Sequence, residues 1–121
     1  MRLVICGTKY VFDPYAVDWA MKASGLATQV REVVIGGQKG MNAAGELWAR
    51  ARKITVEQVP AEVREHGWRT AGRLRAWKMV EKAEAVLVFW DGRKDKDGTW
   101  GCMQAAFEKG IPIYLVDYDA E

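Results

Sequence analysis

The sequence predicts an open, doubly wound α/β sheet of five parallel strands in the order 3-2-1-4-5, with helices on both faces. Three observations predict it. Five short apolar runs alternate with four amphipathic segments along the 121 residues. The runs are apolar throughout rather than alternating, as in strands buried on both faces of a parallel sheet. Right-handed crossovers between such strands then favour an open sheet wound in two directions.

The elements follow in order. Leu3–Cys6 reads as a buried strand that ends at Gly7. Asp13-Pro14 starts a helix, with Asp as N-cap and Pro in the first helical position. That helix runs to about Ser24 with Ala16, Trp19, Ala20 and Ala23 on one face, and Gly25 stops it. Arg31–Ile35 is the second strand. Met41–Arg52 is the second helix, with Met41, Ala44, Leu47, Trp48 and Ala51 at helical spacing. Ile54–Val59 is the third strand, ended by Pro60, and Ala61–Arg69 is polar and irregular. Ala71–Ala83 is the third helix, with Leu74, Trp77 and Val80 inward. Ala85–Trp90 is the fourth strand and Asp91–Gly98 a charged loop. Thr99 caps a fourth helix that ends at Gly110, and Ile113–Val116 is the last strand.

Bulk properties bound the function. The length is that of one domain, 1–121, and with half its residues hydrophobic a core is attainable without disulfides or metals. A net charge of +2, from 18 basic and 16 acidic side chains, is too balanced to argue for nucleic acid by itself. No apolar run approaches the ~20 residues of a membrane span, and the apolar N-terminal stretch is too short for a signal peptide. Cys6 and Cys102 are far apart and lack metal-ligand spacing. A reduced, cytoplasmic setting without a metal or other cofactor is the reading. Six tryptophans exceed what a small core absorbs, so a homodimer is expected, with Trp48, Trp68, Trp77 and Trp100 as interface candidates.

In such a sheet, ligands bind at the carboxyl ends of the strands, where the winding reverses. With this strand order three loops meet there: Gly7-Thr8-Lys9-Tyr10, Gly36-Gly37-Gln38-Lys39-Gly40, and Asp91 through Thr99. Each carries glycine with a hydroxyl or a cation. The Gly36–Gly40 turn presents backbone N–H groups and a positive helix end, which suit phosphate, and Lys39 adds charge. The same glycines also suit a tight strand-to-helix turn with no ligand. Neither the dinucleotide fingerprint spacing nor the P-loop lysine-hydroxyl pair is present. Gly98 leaves room beside Thr99. Arg93–Asp97 reads as a solvated loop, Cys6 and Cys102 as core, and His66 as a surface residue. Arg75, Lys78 and Lys82 form a basic stripe on the third helix, of which Arg75 is placed to reach the cleft.

These residues resemble the SLOG superfamily, the Rossmann-like group that includes DNA-processing protein A and the Lonely Guy phosphoribohydrolases. The small single-domain YspA-like branch matches best. The resemblance runs through Gly7-Thr8-Lys9, Gly36 to Asn42, His66-Gly67, Ala71-Gly72, Arg75 with Met79, Gly98-Thr99, and Gly110-Ile111-Pro112. It implies a three-layer Rossmann-like fold and a nucleotide-type small molecule as partner. The ligand would lie across Gly7, Thr8, Lys9, Gly36, Gly37, Gln38, Lys39, Gly40, Asn42, Asp91, Gly98 and Thr99. Lonely Guy enzymes cleave the N-glycosidic bond of nucleoside monophosphates. Their catalytic arginine, four residues before a methionine, corresponds to Arg75. Their Gly-Thr-x-x-Glu motif matches at Gly98-Thr99, but Cys102 stands at the glutamate. Glycosidic cleavage builds positive charge that a carboxylate stabilises, and a neutral cysteine does not. Asp91 lies nearby at a spacing that is not the family's. YspA-like chains usually carry arginine where Lys9 and Lys39 stand and asparagine where Ala76 stands, so bidentate grip on phosphate is lost at the lysines.

The expected function is therefore binding or sensing of a nucleotide or nucleotide derivative. The alternatives are a phosphoribohydrolase-like N-glycosidase that uses Arg75, and a DNA-binding protein related to DNA-processing protein A. The latter would rest on Arg64, Arg69, Arg73, Arg75 and Lys78.

Overall fold

The computed structural model describes residues 1–37, 39–60, 73–92 and 99–117. The chain forms β1 (Arg2–Gly7), α1 (Pro14–Ala23), β2 (Glu32–Ile35), α2 (Gly40–Ala51), β3 (Thr55–Gln58), β4 (Ala85–Trp90), α4 (Thr99–Lys109) and β5 (Ile113–Asp117), with a short 3₁₀ turn at Leu26–Thr28. Between β3 and β4, residues 73–81 form a further helix, α3. All strand pairs are parallel, and the order is β3-β2-β1-β4-β5. The predicted doubly wound Rossmann-like sheet is the observed one.

The period of two along each strand divides the core. Leu3, Ile5, Val33, Ile35, Leu87 and Phe89 face one layer, where Val17, Met21, Met41, Ala44 and Trp48 of α1 and α2 cover them. Val4, Cys6, Val34, Val86 and Val88 face the other, covered by Ala76, Met79 and Val80 of α3 and by Cys102, Ala105 and Ala106 of α4. Both faces of β1, β2 and β4 are dry, which is why these strands read as unbroken apolar runs.

Three helix faces differ from the expectation. On α1 the buried residues are Val17, Ala20 and Met21, and Trp19 is 64% exposed. On α2, Leu47 is half exposed and Ala51 lies at the surface, while Asn42, Gly45 and Ala49 are buried. On α3, Ala76, Met79 and Val80 point inward and Leu74 and Trp77 are exposed. Partner contacts explain each choice. Asp18 of α1 accepts the Trp48 indole N–H at 3.0 Å and the Arg52 guanidinium at 2.7 Å, which fixes how α1 turns against α2. The indole hydrogen bond, followed by Lys22 and the Arg52 charge, holds the Asp18 carboxyl below the usual carboxylate range. Between α3 and α4, small residues meet: a Cβ on Gly101 would lie 3.7 Å from that of Ala76. Close approach there excludes the bulkier Leu74 and Trp77 from the contact.

At the opposite, amino-terminal edge of the sheet, Lys109 Nζ donates to the carbonyls of Val80, Glu81 and Ala83 at 2.8–3.1 Å. A lysine from the last turn of α4 so satisfies the open carbonyl end of α3. No helix among the described residues is long and apolar enough to cross a membrane. Cys6 and Cys102 are both buried in the α3–α4 layer, the core positions expected for them.

Candidate functional site

The carboxyl edge of the sheet brings the first two predicted loops together. β1 ends at Gly7, where a Cβ would come within 2.8 Å of Phe89 Cβ and 2.9 Å of Met41 Cβ. Only a bare Cα lets β4 and α2 close on β1 at this point. The next residue, Thr8, is buried. Its N–H donates to Phe89 O at 3.0 Å, continuing the ladder, and its carbonyl accepts the Met41 N–H at 2.9 Å. Thr8 Oγ1 accepts the Tyr10 N–H at 3.2 Å and tightens the turn. Lys9 is exposed beside it, its ammonium 5.4 Å from the Tyr10 ring centre.

The glycine turn follows β2 and delivers the chain into α2. Gly40 has φ of +60°, and a Cβ there would overlap the Thr8 carbonyl oxygen and the Lys9 backbone. Two loops from neighbouring strands are thus in backbone contact, which no other residue type permits. Asn42, buried in the first turn of α2, donates from Nδ2 to Gly7 O at 3.3 Å and ties the turn to β1. Lys39 is the N-cap of α2, with extended backbone and no side-chain cap.

Arg75 completes this half of the site. It sits on α3, on the other face of the sheet, and its Nη1 donates to Gly36 O at 2.7 Å across 39 residues of sequence. Met79, one turn on, packs beside it: a Cβ on Gly36 would lie 2.6 Å from Met79 Sδ and 3.0 Å from Arg75 Cδ. The arginine predicted to reach the cleft is placed at the glycine turn. A guanidinium carries five N–H donors in a planar fork, so bonding to one carbonyl leaves a multi-donor cation in place there.

Of the third loop, Asp91, Gly92 and Thr99 are described. Asp91 is partly buried directly after the strand, and Thr99 is buried in the first turn of α4. Thr99 is itself helical, so it is the first residue of α4 rather than its cap. Gln38, Gly98, the Arg93–Asp97 loop, His66, Trp68 and the Ala61–Gly72 segment lie outside the described residues. So do Arg64 and Arg69. Cys102, which stands where the resemblance would place a glutamate, is buried in the α3–α4 core.

Two residues that the sequence reading did not place in the site lie at the same carboxyl edge of the sheet. Trp90, the last residue of β4, stacks on Trp100 in the first turn of α4, with ring centroids 5.7 Å apart and planes 25° from parallel. The signal was present: one tryptophan closes an apolar strand, and a second follows Gly98-Thr99 directly. Of the interface candidates, Trp48 is withdrawn, because its ring is buried between α1 and the core with Arg52 stacked 4.6 Å from its centre. Trp77 remains 39% exposed.

Compared with known proteins, the chain matches no protein-family model and no curated protein.

Proposed function

We propose that this chain is a nucleotide-binding domain of the SLOG type, holding the phosphate of a nucleotide or nucleotide derivative at the Gly36–Gly40 turn. The observation that carries this reading is the Arg75 guanidinium fixed on the Gly36 carbonyl, at the mouth of a helix whose N-terminus has no side-chain cap. A helix N-terminus favours anions, and a cationic N-cap such as Lys39 works against the helix dipole. An anion at the turn resolves that conflict and gives Arg75 a charge-assisted partner. Lys9 adds a second exposed cation from the adjoining loop.

The reading stops at binding. Hydrolysis of a glycosidic bond needs a carboxylate at the sugar, and Cys102 at the family's glutamate position is packed in the core. Calorimetry against a panel of nucleotides, ADP-ribose and NAD tests the proposal. Saturable binding that weakens steeply in Arg75→Met is expected, and no heat from any of them at millimolar concentration would overturn it. Incubation with nucleoside monophosphates should release no free base. Pairing of two copies is part of the same proposal, and sedimentation that gives a monomer at every concentration removes that part.

A further inference from the structure

We propose that β5 is a docking edge for a second copy of this chain, whose own β5 pairs with it antiparallel about a twofold axis at Leu115. This inference rests on the proposed pairing of two copies and names the surface that makes it.

The two outer strands of the sheet are finished differently. β3 is four residues long and carries Glu57 and Gln58. Lys82 Nζ lies 2.9 Å from Glu57 Oε1, Gln58 Nε2 donates to Glu46 Oε1 at 2.8 Å, and Pro60 follows closely. Short length, charge and proline are the devices that keep an outer strand from pairing further. β5 runs Ile113-Tyr114-Leu115-Val116-Asp117, with no charge before its last residue. Among the described residues its one strand neighbour is β4.

The backbone defines what that edge offers. The Pro112 carbonyl accepts the Val86 N–H at 3.0 Å, so Pro112 turns its backbone acceptor to β4. Backbone direction alternates along a strand. Tyr114 and Val116 therefore also bond to β4, and Ile113, Leu115 and Asp117 turn their N–H and carbonyl groups outward. An antiparallel twofold centred on Leu115 overlaps the whole strand. Leu115 then exchanges both bonds with Leu115 of the second copy, and Ile113 does so with Asp117. Such a contact is self-complementary, as a twofold pair requires.

The side chains beside this edge are apolar on both faces. Leu115, on the α4 side with Ile113, is 50% exposed and would lie against its own copy. On the α1 side, a hollow of about 220 Å³ is lined by Trp19, Leu87, Tyr114 and Val116. Pairing joins the two hollows into one trough across the axis, floored by Tyr114 and Val116 of both copies and walled by their Trp19 rings. The strand and its flanking side chains give up on the order of 500 Å² per copy, a total near the ~1,000 Å² at which specific pairs begin. The pair therefore forms and separates with concentration.

The experiment is sedimentation of the full chain over a concentration series, with amide hydrogen exchange followed by NMR at both ends of the series. Leu115→Lys is compared with Thr55→Lys on the opposite edge, and circular dichroism checks that both fold. The chain should dimerise, and Leu115→Lys should raise the dissociation constant about ten-fold or more, because two ammonium groups meet at the axis. Thr55→Lys should leave it unchanged. In the unsubstituted chain the Ile113 and Leu115 amides should exchange several-fold more slowly at high concentration, whereas those of Val56 and Gln58 should not change. A dimer that Leu115→Lys leaves intact, or whose Ile113 and Leu115 amides exchange as fast as in the dilute chain, overturns the edge and leaves pairing through another face. A monomer at every concentration overturns both.

Discussion

Two helices begin at the same edge of the sheet and are finished in opposite ways. At the start of α1, Asp13 Oδ1 accepts the Ala16 N–H at 3.1 Å, and Pro14 occupies the first turn, where its missing donor is no loss. The start of α1 is closed by its own side chain. At the start of α2 the corresponding residue is Lys39, which offers no acceptor, and the Met41 N–H is met instead by the backbone of Thr8. One terminus is complete by local chemistry. The other is assembled from a neighbouring loop, carries a cation where an anion is favoured, and has Arg75 brought to it from across the sheet. The difference separates a helix start closed by its own side chain from one left to its neighbours, the terminus at which the proposed phosphate would sit.

Four substitutions break or sharpen that contrast. Gly40→Ala should act most strongly, because the added methyl meets Thr8 and Lys9 backbone at a positive φ. A loss of roughly 3 kcal/mol or more is expected, read as a fall in Tm on the order of 10 °C, together with loss of nucleotide binding. Arg75→Met should cost binding about 2 kcal/mol, the scale of a charge-assisted hydrogen bond. Titration of a nucleotide at fixed salt checks it, and unchanged affinity would detach Arg75 from the site. Asp13→Ala should lower stability by about 1 kcal/mol in a denaturant melt and leave affinity untouched, since α1 is finished without a ligand. Lys39→Asn should do the reverse. A side-chain acceptor at the N-cap should raise the stability of the ligand-free chain by about 0.5 kcal/mol, while phosphate affinity falls. If Lys39→Asn and Asp13→Ala shift binding alike, the two termini are not different in kind.

The fold was legible because its strands are buried on both sides. Val4 with Leu3, or Val33 with Val34, are neighbours in sequence that face opposite layers, so each run had to be apolar throughout. The glycine turn was legible because it follows one of these runs directly. Helix faces were less so. In α1, Tyr15, Ala16, Val17, Trp19, Ala20 and Met21 are apolar around most of the circumference, and periodicity alone does not choose among them. The choice was made by Asp18 reaching Trp48, 30 residues away. In α3 it was made by the small residue opposite, Gly101, which admits Ala76 and leaves Trp77 outside. Arg75 could be placed near the cleft from its position at the start of a helix, but its bond to Gly36 depends on how α3 crosses the sheet. The tryptophan pair was missed because Trp90 and Trp100, ten positions apart, meet only when β4 and α4 are folded back on each other.

The three carbonyls gathered by Lys109 have a mechanical meaning. α3, which carries Arg75, and α4 meet closely where Gly101 faces Ala76. At the amino-terminal edge the ammonium of α4 closes the carbonyl end of α3. The layer that holds Arg75 is thus braced at two heights, and a lost Lys109 would leave three carbonyls of one helix and the end of the other to loosen together.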